Sequence, residues 1–164
     1  MELGGIKMII ENLVKELCDR NLKIATAESC TGGLLAKKIT DVSGSSKIFD
    51  MWIVSYANRI KNEFLEVPND ILDTVGAVSE ETARQMAIGV TKLAQADIGV
   101  GITGIAGPTG GTPEKPVGLV YFGVYFKPED KLIVKKLMLD GNRDEIRNKT
   151  TEIVCREVIS RIEE

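Results

Sequence analysis

The apolar residues of this chain alternate along its whole length between helical spacing and short strand-like runs. The first predicted helix ends near Arg20-Asn21. Its apolar residues recur every three or four positions and are Ile6, Ile9, Ile10, Leu13, Val14 and Leu17. A second apolar stripe follows Ser79, a good helix N-cap with Glu80 and Glu81 in the first turn, and comprises Ala83, Met86, Ala87, Val90 and Leu93. This alternation predicts an α/β protein.

Five apolar runs are predicted to form strands: Leu22–Ala27, Ile48–Tyr56, Ile98–Ile102, Val117–Phe126 and Leu132–Leu139. Further helices are predicted at Leu34–Thr40, from Asn58 to Phe64, and after Asn142, where Glu145 completes a capping box. Residues 127–130 favour a hairpin turn, which makes the last two strands antiparallel neighbours. We therefore expect one domain over residues 1–164, a three-layer α/β/α sandwich. Its mixed, mostly parallel sheet of about five strands has one late strand antiparallel.

The chain contains no histidine among its 164 residues. This excludes a Ser-His-Asp triad, a Cys-His dyad and every metal site that uses histidine. The three cysteines, Cys18, Cys30 and Cys155, lie far apart without a CxxC pair, so they predict neither a disulfide framework nor a zinc site. Any nucleophile must therefore be activated by a lysine, a carboxylate, a helix terminus or a metal held by carboxylates.

The charge pattern and the hydropathy limit the partners. A formal charge of -3 provides no broad basic field for nucleic-acid phosphates, although one local phosphate pocket stays possible. No apolar run approaches the roughly 20 residues needed to cross a bilayer, and the charged start is not a signal peptide. We expect a cytoplasmic protein with a small-molecule partner, without nucleic acid or membrane.

The segment Glu28-Ser29-Cys30-Thr31-Gly32-Gly33 connects a predicted strand to a predicted helix. Such connections lie at the carboxyl edge of a parallel sheet, where ligands commonly bind. Its paired glycines allow backbone N–H groups to approach an anion, and the helix N-terminus favours an oxyanion or a phosphate. The alternative is structural: Ser29 caps the helix and the glycines form a tight turn.

Two further segments follow predicted strand ends. Tyr56, Asn58 and Lys61 lie within about one helical turn. Lys61 is either a solvated surface charge or, in a partly dry pocket, an amine whose pKa falls far enough to accept a serine proton. Residues 103–116 form a glycine- and proline-rich loop that is long for a plain connection, and its sequence does not match the GxxxxGK[ST] pattern of a nucleotide-triphosphate-binding loop.

Together these segments resemble the CinA carboxyl-terminal family, the competence- and damage-inducible proteins whose stand-alone members deamidate nicotinamide mononucleotide. The resemblance covers nearly the whole chain and extends through Gly76-Ala77-Val78-Ser79, Lys115-Pro116-Val117-Gly118 and Gly141-Asn142-Arg143 with Ile146-Arg147. It implies hydrolysis of a carboxamide to a carboxylate and ammonia by a Ser-Lys mechanism, without a metal or a cofactor.

The resemblance also implies roles for individual residues. Ser29 is the expected nucleophile and Lys61 the general base that later protonates the leaving ammonia, while Tyr56 and Thr103 orient the dyad. Expected substrate-binding residues are Thr31, Gly32, Gly33, Asn58, Gly104 and Arg143. Backbone N–H groups near Thr31–Gly33 or Thr103-Gly104 are oxyanion-hole candidates. Arg143, with Arg147 behind it, is either a phosphate ligand or a helix-surface arginine.

The chain departs from the family at Met51-Trp52, where its members usually carry a glycine pair. Two bulky side chains there could narrow the pocket, which leaves a non-catalytic nucleotide- or partner-binding module as the alternative function. Trp52 could equally stack on a base or pyridinium ring, fill a core, or contribute to a subunit interface. The resemblance implies a homo-oligomer, a dimer or higher. A role in DNA processing, suggested only by the family's name, has little support from an acidic chain.

Overall fold

The computed structural model describes residues 3–164, which form six α-helices and five β-strands. The helices are α1 (Leu3–Arg20), α2 (Leu34–Thr40), α3 (Asn58–Leu65), α4 (Asn69–Thr74), α5 (Glu80–Ala94) and α6 (Arg143–Ile162). The strands are β1 (Ile24–Glu28), β2 (Trp52–Val54), β3 (Ile98–Gly104), β4 (Leu119–Phe126) and β5 (Lys131–Met138).

The five strands form one mixed sheet in the order β2-β1-β3-β4-β5. Strand β1 lies parallel to β2 and to β3, whereas β4 is antiparallel to both of its neighbours. The predicted sheet, with one late strand reversed, is therefore confirmed, and β4 is that strand. The predicted turn before β5 is a single 3-10 turn at Lys127–Glu129, closed by Asp130 in the left-handed conformation.

Helices cover both faces of the sheet, which confirms the three-layer sandwich. Helices α1, α2 and α6 contact one another on one face, and α3 and α4 pack against α5 on the other. Strand β3 shows how alternation serves both layers: Ile98, Val100 and Ile102 enter the core beneath α1, α2 and α6, while Gly99 and Gly101 face α5.

Glycines in β3 allow α5 to lie unusually close to the sheet. A Cβ added at Gly101 would lie only 2.6 Å from the carbonyl oxygen of Ala83 in α5. Side chains there would push the helix away, since the interior is close-packed. The first turn of α5 thus stays near the carboxyl end of β3.

Two elements differ from the sequence-based expectation. The predicted strand Ile48–Tyr56 is a strand only at Trp52–Val54, because Ile48 and Phe49 are buried in the core beneath α1, α2 and α6 before the chain reaches the sheet. The short helix α4 was not predicted. Other strand bounds differ by one or two residues. Among residues 3–164, no helix is long and apolar enough to cross a membrane.

Candidate active site

The candidate site is a cleft at the carboxyl ends of β1, β2 and β3, which lie at one edge of the sheet because these strands are parallel. Its volume is about 260 Å³. Its walls come from the segment after β1, the start of α3, the turn before α5, the loop after β3 and the start of α6. Ser29, Tyr56, Lys61, Thr103, Gly104 and Arg143, six of the residues predicted for the site, line it together.

Ser29 and Lys61 meet in this cleft although they are 32 residues apart, with Lys61 Nζ 3.2 Å from Ser29 Oγ. Ser29 directly follows β1, and its N–H still donates to the Ile102 carbonyl of β3 at 3.0 Å. Lys61 lies on the buried face of α3, one turn before Leu65. Both side chains therefore extend from backbone fixed by regular structure.

The Lys61 side chain is almost completely buried, with 1% of its surface exposed. Burial lowers the pKa of its ammonium group from the ordinary 10.5 to about 8, and the neighbouring Cys30 thiol acts more weakly in the opposite direction. No carboxylate of residues 3–164 forms a salt bridge with Lys61. Near pH 8 a large fraction of this lysine is thus the neutral amine, which can accept a proton.

Glu28 organises the loop that carries Ser29, a role that was not predicted from the sequence. Its carboxylate is fully buried and accepts hydrogen bonds from Thr31 Oγ1 at 2.7 Å and from Thr26 Oγ1 at 3.2 Å. It also accepts from the backbone N–H groups of Leu35 and Ala36, each at 3.0 Å. Glu28 thereby caps α2, whose own N-cap, Gly33, offers no side chain. The sequence signal for this role was a carboxylate six residues before a predicted helix that has no side chain at its own N-cap position.

Thr103 and Tyr56 both line the cleft, but one is buried and the other is exposed. The Thr103 hydroxyl is buried and donates to the Ala77 carbonyl at 2.7 Å, which fixes the turn before α5 to the end of β3. Tyr56 is 63% exposed at the edge of the cleft. Neither side chain makes a hydrogen bond to Ser29 or Lys61 in the described part of the chain, so their orienting role stays a prediction.

Arg143 lies at the start of α6 and reaches the loop after β3, where its Nε donates to the Gly107 carbonyl at 2.5 Å. The loop is also held near its far end by Lys115, whose Nζ donates to the Val75 carbonyl. Ala106 and Gly107 line the cleft, and within residues 3–164 their backbone N–H groups have no acceptor. This side of the cleft therefore combines a guanidinium with free N–H donors, a combination suited to an anion.

Four residues predicted to bind substrate do not line the cleft. Thr31 is buried with its hydroxyl on Glu28, and Asn58 is exposed at the first turn of α3. Gly32 and Gly33 have positive φ angles of 61° and 98°, which build the turn into α2. Their contribution to the site is the shape of the Ser29 loop, and direct contact with a ligand stays a prediction.

Met51 and Trp52 also lie outside the lining of the cleft. Trp52 belongs to the edge strand β2 and stacks on Phe49 with ring centroids 5.3 Å apart, while 45% of its surface remains exposed. The bulky pair therefore leaves the space beside Ser29 and Lys61 open. A larger hollow of about 440 Å³ between α1 and α2 contains neither residue of the dyad.

Comparison with known proteins agrees with this architecture. The profile of the CinA C-terminal domain matches residues 6–162. The chain belongs to this family. Among curated relatives of the CinA family, a CinA-like protein of Kosmotoga olearia is 54% identical over 145 residues, covering 88% of this chain and 34% of the relative. The chain thus spans about a third of the length of the curated relatives it matches.

Solved structures of the CinA family share the whole fold. The competence/damage inducible protein CihA of Agrobacterium tumefaciens superposes with a TM-score of 0.94 at 37% identity, covering 100% of both chains. A CinA superfamily protein of Klebsiella pneumoniae superposes with a TM-score of 0.91 at 27% identity, covering 96% of this chain and 97% of that one. The resemblance stated from the sequence motifs is therefore confirmed.

Proposed function

We propose that this protein hydrolyses the carboxamide of nicotinamide mononucleotide, or of a close pyridine nucleotide, to the carboxylate and ammonia. The observation that carries the proposal is the 3.2 Å approach of Ser29 Oγ to the buried, weakly basic Lys61 amine. A neutral amine at this distance can accept the hydroxyl proton, which replaces the imidazole of more common serine hydrolases.

The first half of the reaction forms an acyl-enzyme. Ser29 Oγ attacks the amide carbon as its proton moves to Lys61 Nζ, and the amide oxygen becomes an oxyanion. When the tetrahedral intermediate collapses, the C–N bond breaks and the Lys61 ammonium gives its proton to the leaving nitrogen. The products of this half are ammonia and an ester on Ser29.

The second half uses water. A water molecule attacks the ester carbon while Lys61 Nζ accepts its proton, and the C–O bond to Ser29 breaks as that oxygen recovers a proton from Lys61. One amide and one water thus give one carboxylic acid, which ionises, and one ammonia. The dyad returns to its starting state, and the scheme requires no metal or cofactor.

The cleft has features suited to a pyridine nucleotide. Arg143 and the N–H groups of Ala106 and Gly107 provide donors for a phosphate, and the exposed ring of Tyr56 can contact a cationic pyridine ring at the cleft edge. We place this activity in the cytosol and propose that the protein acts as a homo-oligomer.

The proposal is tested by incubating the protein with nicotinamide mononucleotide and following ammonia and nicotinic acid mononucleotide together. Ser29→Ala and Lys61→Ala should each lower turnover by at least about a thousandfold. The matched controls are Ser160→Ala and Lys92→Ala, exposed residues that should leave turnover unchanged. Saturable nucleotide binding without turnover would instead favour a non-catalytic binding module, and full turnover in both dyad variants would reject the dyad.

A further inference from the structure

Two arginines one turn apart on α6 contact the two loops beside the cleft, and only one of them lines it. Arg143 reaches the loop after β3, as described above. Arg147 instead donates from Nε to the carbonyl oxygen of Cys30 at 2.8 Å, across 117 residues of sequence. Arg147 does not line the cleft, and it contacts the loop that carries Ser29 from outside the cleft.

The hydrogen bonds of this loop leave a specific pair of donors unused. Two peptide units follow Ser29, and both of their carbonyls are occupied: Ser29 O by the Gly32 N–H at 3.0 Å, and Cys30 O by Arg147. The N–H groups of the same two peptides belong to Cys30, which lines the cleft, and to Thr31, which directly follows it, and within residues 3–164 neither N–H has an acceptor. Because C=O and N–H point in opposite directions in a trans peptide, fixing each carbonyl also fixes each N–H.

We infer that Arg147 is a positioning residue that orients the Cys30–Thr31 peptide so that the N–H groups after Ser29 serve as oxyanion donors. The inference rests on the proposed acyl transfer to Ser29 and adds the residue that prepares its oxyanion hole. A charged donor on the Cys30 carbonyl also polarises that peptide, which strengthens its N–H as a donor. Preorganised N–H donors of this kind stabilise the tetrahedral intermediate.

The packing of the guanidinium favours arginine over lysine at this position. The group lies against Gly32, where an added Cβ would be 3.3 Å from Arg147 Nη2. Gly32 also has a φ of 61°, so the residue without a side chain provides both the turn and the space for the planar group. The lysine ammonium carries the same charge on a compact group that is not planar, so it would hold the Cys30 carbonyl less firmly.

The test follows acylation of Ser29 by p-nitrophenyl acetate, which reports on the oxyanion hole without requiring a nucleotide. In this step Ser29 Oγ bonds to the acetyl carbon, p-nitrophenolate leaves, and Lys61 accepts the serine proton. Wild type, Arg147→Lys and Arg147→Met are compared, with Ser29→Ala as the blank. Arg156→Met is the matched control, because Arg156 lies on the same helix with 62% of its side chain exposed.

We expect the acylation rate constant to fall about tenfold to a hundredfold in Arg147→Met, less in Arg147→Lys, and not at all in Arg156→Met. With nicotinamide mononucleotide, kcat should fall in the same order while KM stays within about twofold. A purely structural role would instead reduce the burst amplitude and the thermal midpoint and leave the rate constant of the folded fraction unchanged. That result would overturn the inference.

Other outcomes separate this inference from the proposed function. If Ser29 is acylated but the nucleotide is not deamidated, the substrate proposal fails, and the Arg147 comparison still decides the present inference. A rise in KM alone would make Arg147 a ligand contact and overturn its positioning role. If wild-type Ser29 is not acylated at all, both proposals fall.

Discussion

The amine of Lys61 is held by the backbone carbonyl of Ser55, six residues earlier, at 2.5 Å. The N–H of Ser55 in turn donates to the Glu28 carbonyl at 2.8 Å, so the residue that holds the amine is fixed to the strand that precedes Ser29. A carbonyl carries only a partial charge, whereas a carboxylate would stabilise the ammonium and raise its pKa. The lysine is therefore held in place and can still lose its proton.

The first prediction concerns the pH dependence of turnover. The pKa of Lys61 is lowered to about 8, and the base is active only as the neutral amine. The ratio kcat/KM should therefore rise with pH, with a slope near one below pH 8 and a plateau above about pH 9. The variant Cys30→Ala should show the same rise with pH, because burial raises the pKa of the Cys30 thiol to about 12 and the thiol therefore does not titrate in this range. A profile that is flat from pH 6 to 10 would contradict the assignment of Lys61 as base.

The second prediction is that Lys61→Met destroys activity and stabilises the fold at neutral pH. A pKa lowered from 10.5 to about 8 corresponds to about 3 kcal/mol of destabilisation while the group is protonated in both states. Methionine removes this cost but leaves the Ser55 carbonyl without its donor, which costs about 1 kcal/mol. The net gain should be about 2 kcal/mol by urea unfolding at pH 7.

The sign of this effect can be checked with pH. Between the folded pKa of about 8 and the unfolded pKa of 10.5, the unfolded chain binds more protons at residue 61, so wild-type stability rises with pH. Lys61→Met lacks this contribution. The stability difference between the two proteins should therefore shrink from pH 7 to pH 10, and a constant difference would contradict the burial argument.

The third prediction concerns Glu28, whose carboxylate accepts four hydrogen bonds in a fully buried position. Glu28→Ala would leave the Leu35 and Ala36 N–H groups without their acceptor and should cost about 3 kcal/mol or more of folding free energy. Glu28→Gln keeps one acceptor oxygen and should cost less. Glu11→Ala, at the exposed Lys7–Glu11 pair on α1, is a suitable control with a change below about 1 kcal/mol.

The fourth prediction concerns Trp52, which lies at the sheet edge and outside the cleft. Trp52→Ser should leave kcat/KM within about twofold of wild type, because no wall of the cleft changes. If the exposed ring belongs to a subunit interface, the same variant should shift the oligomeric state measured by light scattering. A large gain in activity would instead indicate that the tryptophan restricts the site.

The site could be predicted from the sequence where it depends on strand ends. Ser29 and Lys61 each follow one of the two paired parallel strands β1 and β2, and the carboxyl ends of parallel strands meet at one edge of a sheet, where the two side chains lie together. The hydrogen bonds of Glu28 were not predictable in the same way. A carboxylate at a strand end can face solvent, a ligand or a helix terminus, and only the path of residues 29–36 decides among these.

The length of β2 was predicted wrongly for a similar physical reason. The apolar run from Ile48 to Tyr56 has strong strand propensity, and periodicity gives no information on which layer buries it. Ile48 and Phe49 enter the core beneath α1, α2 and α6, so the chain joins the sheet only at Trp52. The order of the strands likewise depends on tertiary packing and has no signature in the local pattern.

The reversal of β4 determines where the longest connection of the fold lies. Because β4 runs antiparallel to β3, Gly104 pairs with Val120, and the chain leaves and re-enters the sheet at the same edge. A parallel crossover would have carried residues 105–118 away to the opposite edge. This segment instead forms a rim beside Ser29, so changes in its length could alter which molecules enter without disturbing a single strand pairing.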